Sequence, residues 1–441
     1  MRKYQLLLLV LILLLPSNIF TQTPVSGIIS TNTTWDTDGS PYIVTATVLV
    51  SPGVTLGIAP DVTVKFYANT KLQVDGTIIA RGNANQRILF TSNASTPNPG
   101  DWDGISFTNN SVDASYDGSG NYTSGCILEY CIIEYAGPGI NILQSSPCID
   151  HNVIRHNYTA DSYTAGGLNI SNSDFIYIRN NIFISNRCYA YSGTGGGITM
   201  RFCVNPFVYH NTFVENNGEA YNGGGASSAG GLYINNAGVG PYFIRYNTFY
   251  RNWSKGKTGT SYPHQIGGAI TAENMGNRSL TIEYNTIVEN DALTAENPAG
   301  IVLYNSDVKY NNIYNNTPYD MAAHMGYSYD LDDSINAVHN WWGTTNETLI
   351  EEKIYDFYDN LTLGRVFYKP YLMAPAGTLF GDINSDFMID MRDIGIAAWA
   401  FGAYPTHPRW NSEADVNYDG RVDMKDIISI AKHFGDTVSC L

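Results

Sequence analysis

Twelve residues near the C-terminus, Asp415 to Asp426, read DVNYDGRVDMKD and place an acidic or amide side chain at positions one, three, five, nine and twelve. Oxygen ligands at these offsets let a looped backbone wrap a hard divalent cation, and calcium fits best. Positions one, three and five face inward, a carbonyl serves at seven, nine acts often through water, and twelve closes the shell. The expected ligands are Asp415, Asn417, Asp419, the carbonyl of Arg421, Asp423 and Asp426, with Gly420 where the chain must turn sharply. The same spacing occurs in DINSDFMIDMRD, which offers Asp382, Asn384, Asp386, the carbonyl of Met388, Asp390 and Asp393, although Phe387 stands at the glycine position. Two calcium sites are therefore expected.

The loops are offset by 33 residues, and the repeat continues beyond the ligands: Ile394 matches Ile427, Ala398 matches Ala431, Phe401 matches Phe434 and Gly402 matches Gly435. Each loop thus precedes a short apolar helix ended by a glycine, where the chain needs positive φ. On these residues the stretch from Gly381 to about Gly435 resembles a type I dockerin, a module of paired calcium loops and helices that docks onto cohesin domains and attaches enzymes or adhesins to a surface scaffold. The resemblance implies calcium in both loops and a cohesin-like scaffold or surface protein as partner. Many dockerins carry a small hydroxyl pair at loop positions ten and eleven; here the pairs are Met391 with Arg392 and Met424 with Lys425.

The other end of the chain, MRKYQLLLLVLILLL, has two basic residues before an unbroken apolar run. It reads as a secretory signal peptide ending near residue 22, too short for a stable membrane span. A net charge of −16 with 24 basic residues argues against nucleic acid and anionic membranes as partners. Gly 42, Tyr 32 and only 15% charged residues point to a turn-rich, mainly β chain. Six cysteines (Cys126, Cys131, Cys148, Cys188, Cys203 and Cys440) lack metal-site spacing; in an oxidising space they would be buried or locally paired, with Cys131 and Cys148 one possible pair. The sequons at Asn32, Asn121, Asn157, Asn252 and Asn346 are possible glycosylation positions.

What lies between repeats. HNVIRHN, NNIFISN, HNTFVEN, YNTFYRN and YNTIVEN set asparagines at Asn152, Asn181, Asn211, Asn247 and Asn285, with Asn312 of NNIYNN next, in steps of 29, 30, 36, 38 and 27 residues. Ile149, Ile178, Val208, Ile244 and Ile282 form one apolar column, and Ile154, Phe183, Phe213, Phe249 and Ile287 another; both should stack inside. A second marker (GGL, GGI, GGL, GGA, AGI) puts Gly167, Gly197, Gly231, Gly268 and Gly300 at one tight corner per coil. Two or three short strands per coil, corner glycines and stacked asparagines describe a mainly β solenoid: a single-stranded right-handed parallel β-helix over residues 26–370. A linker, 371–380, and the dockerin-like unit, 381–441, follow.

SPYIVTATVLVSPGVTLGIAPDVTVKF, KLQVDGTIIARG and GDWDGISF resemble the opening coils of secreted surface proteins of the pectate-lyase-like β-helix superfamily, and NWWGTTNETLIEEKIYDFYDN with VFYKPYL resembles their closing segment. The resemblance implies the fold. It leaves activity open, because many chemistries use this scaffold, and the arginine motif of pectate lyases and the sequence words of polygalacturonases are absent.

The asparagine column is expected to bond backbone at corners rather than to do chemistry. The columns His156, Ser185, Glu215, Arg251, Glu289 and Asp150, Arg179, Tyr209, Arg245, Glu283 read as salt-bridge ladders on a solvated face. The chain segments between each coil's last asparagine and its glycine corner should form one wall. They offer Tyr163, Tyr189, Tyr191, Tyr221 and Tyr262 as sugar-binding rings, with Glu219 or Asp161 as acid or base and His264 or Lys257 as its partner. The function expected is an exported protein that binds, or also degrades, polysaccharide as a hydrolase or lyase. The alternatives are a non-catalytic adhesin and a structural cell-envelope element.

Overall fold

Alternating apolar and polar residues in each repeat become coils of short strands, each paired in parallel with its counterpart one coil away. The computed structural model describes residues 22–117, 120–191, 193–221, 227–235, 241–256, 265–273, 280–293, 297–324, 334–376, 381–384, 388–404, 407–416 and 421–436. A middle coil runs through Cys148–Asp150, Val153–Arg155, Tyr158–Thr159 and Leu168–Ser171, and the next begins at Tyr177–Arg179. Such coils hold four strands rather than two or three. The extra one has mixed polarity, so alternation does not reveal it: Tyr158–Thr159, Arg187–Ala190, Asn217–Ala220, Trp253–Lys255 and Asp291–Leu293 form their own five-stranded parallel sheet. The first strands of the coils make a twelve-stranded sheet from Thr33–Trp35 to Val366–Phe367, and the second and fourth strands belong to a 23-stranded set.

The two apolar columns are inside. Ile149, Ile178, Val208, Ile244 and Ile282, and Ile154, Phe183, Phe213, Phe249 and Ile287, are all 0% exposed. Phe183, Phe213 and Phe249 stack at centroid distances of 4.9 and 4.5 Å. Each such side chain contributes roughly 1.5–3 kcal/mol of burial. Near the N-terminal end Trp102 stacks on Phe66 at 3.8 Å and donates to the carbonyl of Glu134 at 3.0 Å.

Two asparagine ladders run along the solenoid. In the first, Nδ2 of Asn152, Asn181, Asn211, Asn247, Asn285 and Asn311 donates to Oδ1 of the next rung at 2.9–3.1 Å, ending at Asn340. The second links Asn157, Asn186, Asn216, Asn252, Asn290 and Asn316 at 2.9–3.0 Å. Every rung also accepts from a backbone N–H of the preceding coil and donates to a strand carbonyl, as Asn216 does to Phe183 O at 2.9 Å. The residue before each rung sits in the left-handed region: His151, Asn180, His210, Tyr246, Tyr284, Tyr310 and His339 on one corner, and His156, Ser185, Glu215, Arg251, Glu289 and Asn315 on the other, with φ of 51–59°.

The register corrects two positions. Asn311, not Asn312, is the rung after Asn285; Asn312 pairs with Thr286 on the following strand. Among the glycines, Ala269 follows Gly231 in the column, and Gly268 is the equivalent of Gly230. These glycines are required by proximity: a Cβ on Gly197 would lie 2.6 Å from the carbonyl oxygen of Gly231.

Charged columns on the outer face form ladders as expected, with Arg179 bonded to Asp150 at 2.7 Å, Arg245 to Glu283 at 2.9 Å and Arg251 to Glu289 at 2.9 Å. The five described cysteines are free and buried, so Cys131 and Cys148 are not paired; Cys440 lies outside the described residues. Burial pushes the Cys126 and Cys148 thiols up to about 11. Asn157 and Asn252 are fully buried rungs, which removes them as glycosylation positions.

The solenoid closes with the helix Glu347–Glu351, capped by the Asn346 side chain, and the strand Val366–Phe367. Tyr371 and Leu372 still pack in or beside its core at 5% and 1% exposure. Beyond them, helices Met391–Ala400 and Met424–Lys432 pack around Ile389, Ala397, Val422 and Ile430 in a separate small core. Among the described residues no helix is long and apolar enough to cross a membrane.

Two stability predictions follow from the ladders. Asn216→Ala removes the acceptor of the Asn186 N–H and Nδ2 and the bonds Asn216 gives to Phe183 O and Asn252, and should cost about 3–5 kcal/mol in urea unfolding, against about 0.5 for exposed Asn109→Ala. The second ladder ends on Asp320, which accepts both bonds of Asn316; burial raises its carboxyl to about 6 despite those bonds and nearby Lys353. Because the unfolded carboxyl titrates near 4, the folded state holds this proton more tightly, and its contribution to stability falls as pH rises from about 4 to about 6. The wild type should lose on the order of 2–3 kcal/mol relative to Asp320→Asn across that window.

Candidate functional site

The five-stranded sheet that alternation does not reveal carries the expected wall. In its outward columns Tyr158, Arg187, Asn217, Trp253 and Asp291 lie in register, and beside them Tyr189, Glu219, Lys255 and Leu293. Arg187 lies 5.8 Å from the ring centroids of both Tyr158 and Tyr189 and bonds Glu219 at 2.9 Å. Asn217 Nδ2 donates to the same carboxylate oxygen at 2.9 Å. Glu219 is therefore part of the strand Asn217–Ala220, not of a loop, and its charge is matched by a cation and an amide.

Three of the tyrosines meet. Tyr221 lies 5.1 Å from Tyr189 and 6.0 Å, edge-on, from Tyr191; the three are 44, 39 and 52% exposed. Tyr163 continues the wall: the neighbouring Ser162 hydroxyl accepts the Tyr191 N–H at 3.1 Å, and the Tyr163 ring lies 4.4 Å from the Arg201 guanidinium. Asp161 is exposed at the start of this turn, its carbonyl accepting from Thr164 at 2.6 Å. Lys257, Tyr262 and His264 lie outside the described residues.

A second cluster, absent from the sequence reading, sits under this wall on the outer face of Leu232–Asn235 and Gln265–Glu273. The Tyr233 hydroxyl bonds Glu273, Ser227 donates to Glu273 at 2.7 Å, Asn235 donates at 3.1 Å, and His324 Nε2 stands 3.8 Å away. Tyr233, Glu273 and His324 are 1, 8 and 5% exposed. Burial alone would raise the Glu273 carboxyl; the bonds from His324, Tyr233 and Ser227 outweigh it and hold it below its ordinary value, while burial and the Glu273 charge push the Tyr233 phenol up. The arrangement keeps a carboxylate and a neutral phenol locked together. The signal was present: Tyr233, Asn235, Thr271 and Glu273 occupy the alternate, outward positions of strands opened by the glycine corner.

Glu129, Asp150 and His151 bring ligand atoms within 4.8 Å of one another, but Arg81 holds Glu129 at 2.7 Å, and Arg179 and His151 hold Asp150 at 2.7 Å. This is an ion-paired corner of the charged ladder.

In the C-terminal unit each acid at loop position nine caps a helix, Asp390 accepting from Arg392 N at 2.6 Å and Asp423 from Lys425 N at 2.7 Å. Position twelve folds back over its loop: fully buried Asp393 accepts from Ile383 N at 2.8 Å and Asn384 N at 3.1 Å, and Asp426, also 0% exposed, accepts from Asp423 N at 2.8 Å. Asp415 is 4% exposed. Gly402 N donates to Val422 O and Gly435 N to Ile389 O, both at 2.8 Å, so each helix end is tied to the other loop. Both glycines have positive φ, 80° and 89°. Asp386, Asn417, Asp419 and Gly420 lie outside the described residues; Asp382, Asn384, Met388 and Arg421 lie within them.

Residues 27–146 match the model of the pectate-lyase like beta helix domain. No curated protein and no solved structure matches the chain.

Proposed function

We propose that this is an exported protein whose right-handed β-helix binds polysaccharide along the tyrosine wall and whose C-terminal loops, loaded with calcium, attach it to a cohesin-like scaffold or surface protein. The observation that carries the reading is the exposed trio Tyr189, Tyr191 and Tyr221 beside the Arg187–Glu219 pair. Flat rings suit the apolar face of a sugar, and the carboxylate, amide and guanidinium alongside suit its hydroxyls. Binding is favoured over hydrolysis, which needs two carboxyl groups about 5–10 Å apart across a bond, one of them kept protonated. Glu219 is already engaged by Arg187 and Asn217.

The loop residues suit calcium on one ground besides spacing: buried carboxylates at position twelve that already turn inward are the arrangement a hard cation completes. Asp382, Asn384, Asp386, Asp390 and Asp393 would hold one ion, with the carbonyl of Met388; Asp415, Asn417, Asp419, Asp423 and Asp426 would hold the other, with that of Arg421. The bound ions supply positive charge that ties the two loops to their helices. Met391 and Met424, 65 and 54% exposed at the two helix starts, offer an apolar partner surface.

Calorimetry on the full chain should give two calcium sites. Asp426→Ala should remove one and lower the melting temperature of this unit more in calcium than in chelator; no heat of binding would overturn the calcium reading. For the wall, Tyr221→Ala should weaken retention on whichever of a panel of neutral and acidic polysaccharides binds the wild type by about tenfold, near 1.4 kcal/mol. Reducing ends or unsaturated products appearing in the same incubation would replace the adhesin reading with a hydrolase or a lyase respectively.

A further inference from the structure

The closing end of the solenoid holds a cavity of about 530 Å³ that no part of the wall touches. Its floor is Ile354 and Val366, from strands that are each paired on one side only and so end their sheets. Its outer wall is the excursion 356–366, built rigidly around Asp356. That buried carboxylate accepts from Tyr358 N at 3.0 Å and Val366 N at 2.9 Å, while Phe357 N donates to Gly364 O at 3.0 Å. Such a frame presents two large rings in one lining, Tyr358 at 80% exposure and Phe367 at 50%.

The polar groups are held as firmly as the rings. Arg365 lies over the faces of Phe357 and Tyr358, at 4.7 and 5.9 Å. Glu351 accepts from the Tyr368 hydroxyl at 2.8 Å, and Lys369 lies 5.4 Å from the Tyr368 ring and bonds Glu347. Asp356 spends both oxygens on backbone, which leaves Glu351 and Asp359 as acceptors and Arg365 and Lys369 as donors, two of each sign. With Asp356 counted, the lining holds three carboxyl groups against two cations, a formal charge of −1 that does not attract a polyanion. It does offer exposed rings and fixed donors and acceptors within a volume typical of small-ligand pockets.

We propose that this closing pocket is a second binding site, which takes a unit of a neutral saccharide, at or near a chain end, stacked on Tyr358 and Phe367. It goes beyond the wall reading and uses none of the wall's residues, so the two stand or fall separately. The test is calorimetry on the full chain with cellotetraose, xylotetraose, mannotetraose and, as the acidic counterpart, trigalacturonate. At least one neutral tetrasaccharide should bind, with its affinity reduced about tenfold or more in Tyr358→Ala and in Phe367→Ala and unchanged in Tyr221→Ala. Both pocket residues are exposed, so circular dichroism of the variants should match the wild type. The proposal is overturned if no neutral tetrasaccharide binds, if both pocket variants bind as the wild type does, or if trigalacturonate is the only ligand that Tyr358→Ala weakens. Failure of the wall alone would show as unchanged polysaccharide retention in Tyr221→Ala while tetrasaccharide binding remains sensitive to Tyr358.

Discussion

In each middle coil the chain turns sharply just before both asparagine rungs, and at both of these turns a residue with a full side chain takes positive φ. Each such corner costs on the order of 1 kcal/mol or more, and over the ordered middle coils this would defeat folding if nothing opposed it. What opposes it is the asparagine that follows. Its amide both accepts and donates, so one side chain binds the N–H of the coil before, a strand carbonyl, and the next asparagine. No other uncharged side chain of that length supplies an acceptor and two donors. The ladder thus satisfies buried backbone and holds the strained corners at once, and the apolar columns stack because the corners are fixed.

The positions of the sites follow from that frame. The sheet that carries the tyrosine wall starts directly after the second ladder, so its outward columns stay in register although the loops beyond them differ in length. Corner side chains on the first ladder are consumed differently: His210, Tyr246, Tyr284, Tyr310 and His339 stack face to face at 4.9–5.5 Å and turn only their edges outward. Rings stacked on one another have no free face for a sugar, whereas Tyr221 meets Tyr191 edge-on and keeps a face open. The distinction between an aromatic spine and an aromatic platform is therefore geometric, not compositional.

Much of this was legible in the sequence because it is periodic. The apolar columns, the buried asparagines and the charge ladders each repeat in a fixed relation to one word. Where the word is degenerate the register slips: NNIYNN and GGA each contain adjacent identical residues, and only pairing shows that Asn311 and Ala269 hold the columns. The strand bearing Glu219 hides because two or three residues of mixed polarity carry no period. In the Tyr233–Glu273–His324 cluster the outward positions of Tyr233 and Glu273 after their glycine corners are legible, but His324 comes from a third coil outside that motif, so the meeting of all three is a product of stacking. The C-terminal loops are the opposite case, since all the proposed ligands of one ion fall within twelve contiguous residues.

Successive rungs lie 29, 30, 36, 38 and 26 residues apart along the chain, yet each is 2.9–3.1 Å from the next. Twelve extra residues between two coils leave no trace in the frame. In most folds an insertion of that size threatens the core, but here it is diverted sideways and merely lengthens an arm. The solenoid is in this respect a rack, on which lineages or protein engineers can exchange arms by insertion and deletion, changing the surface without renegotiating the fold.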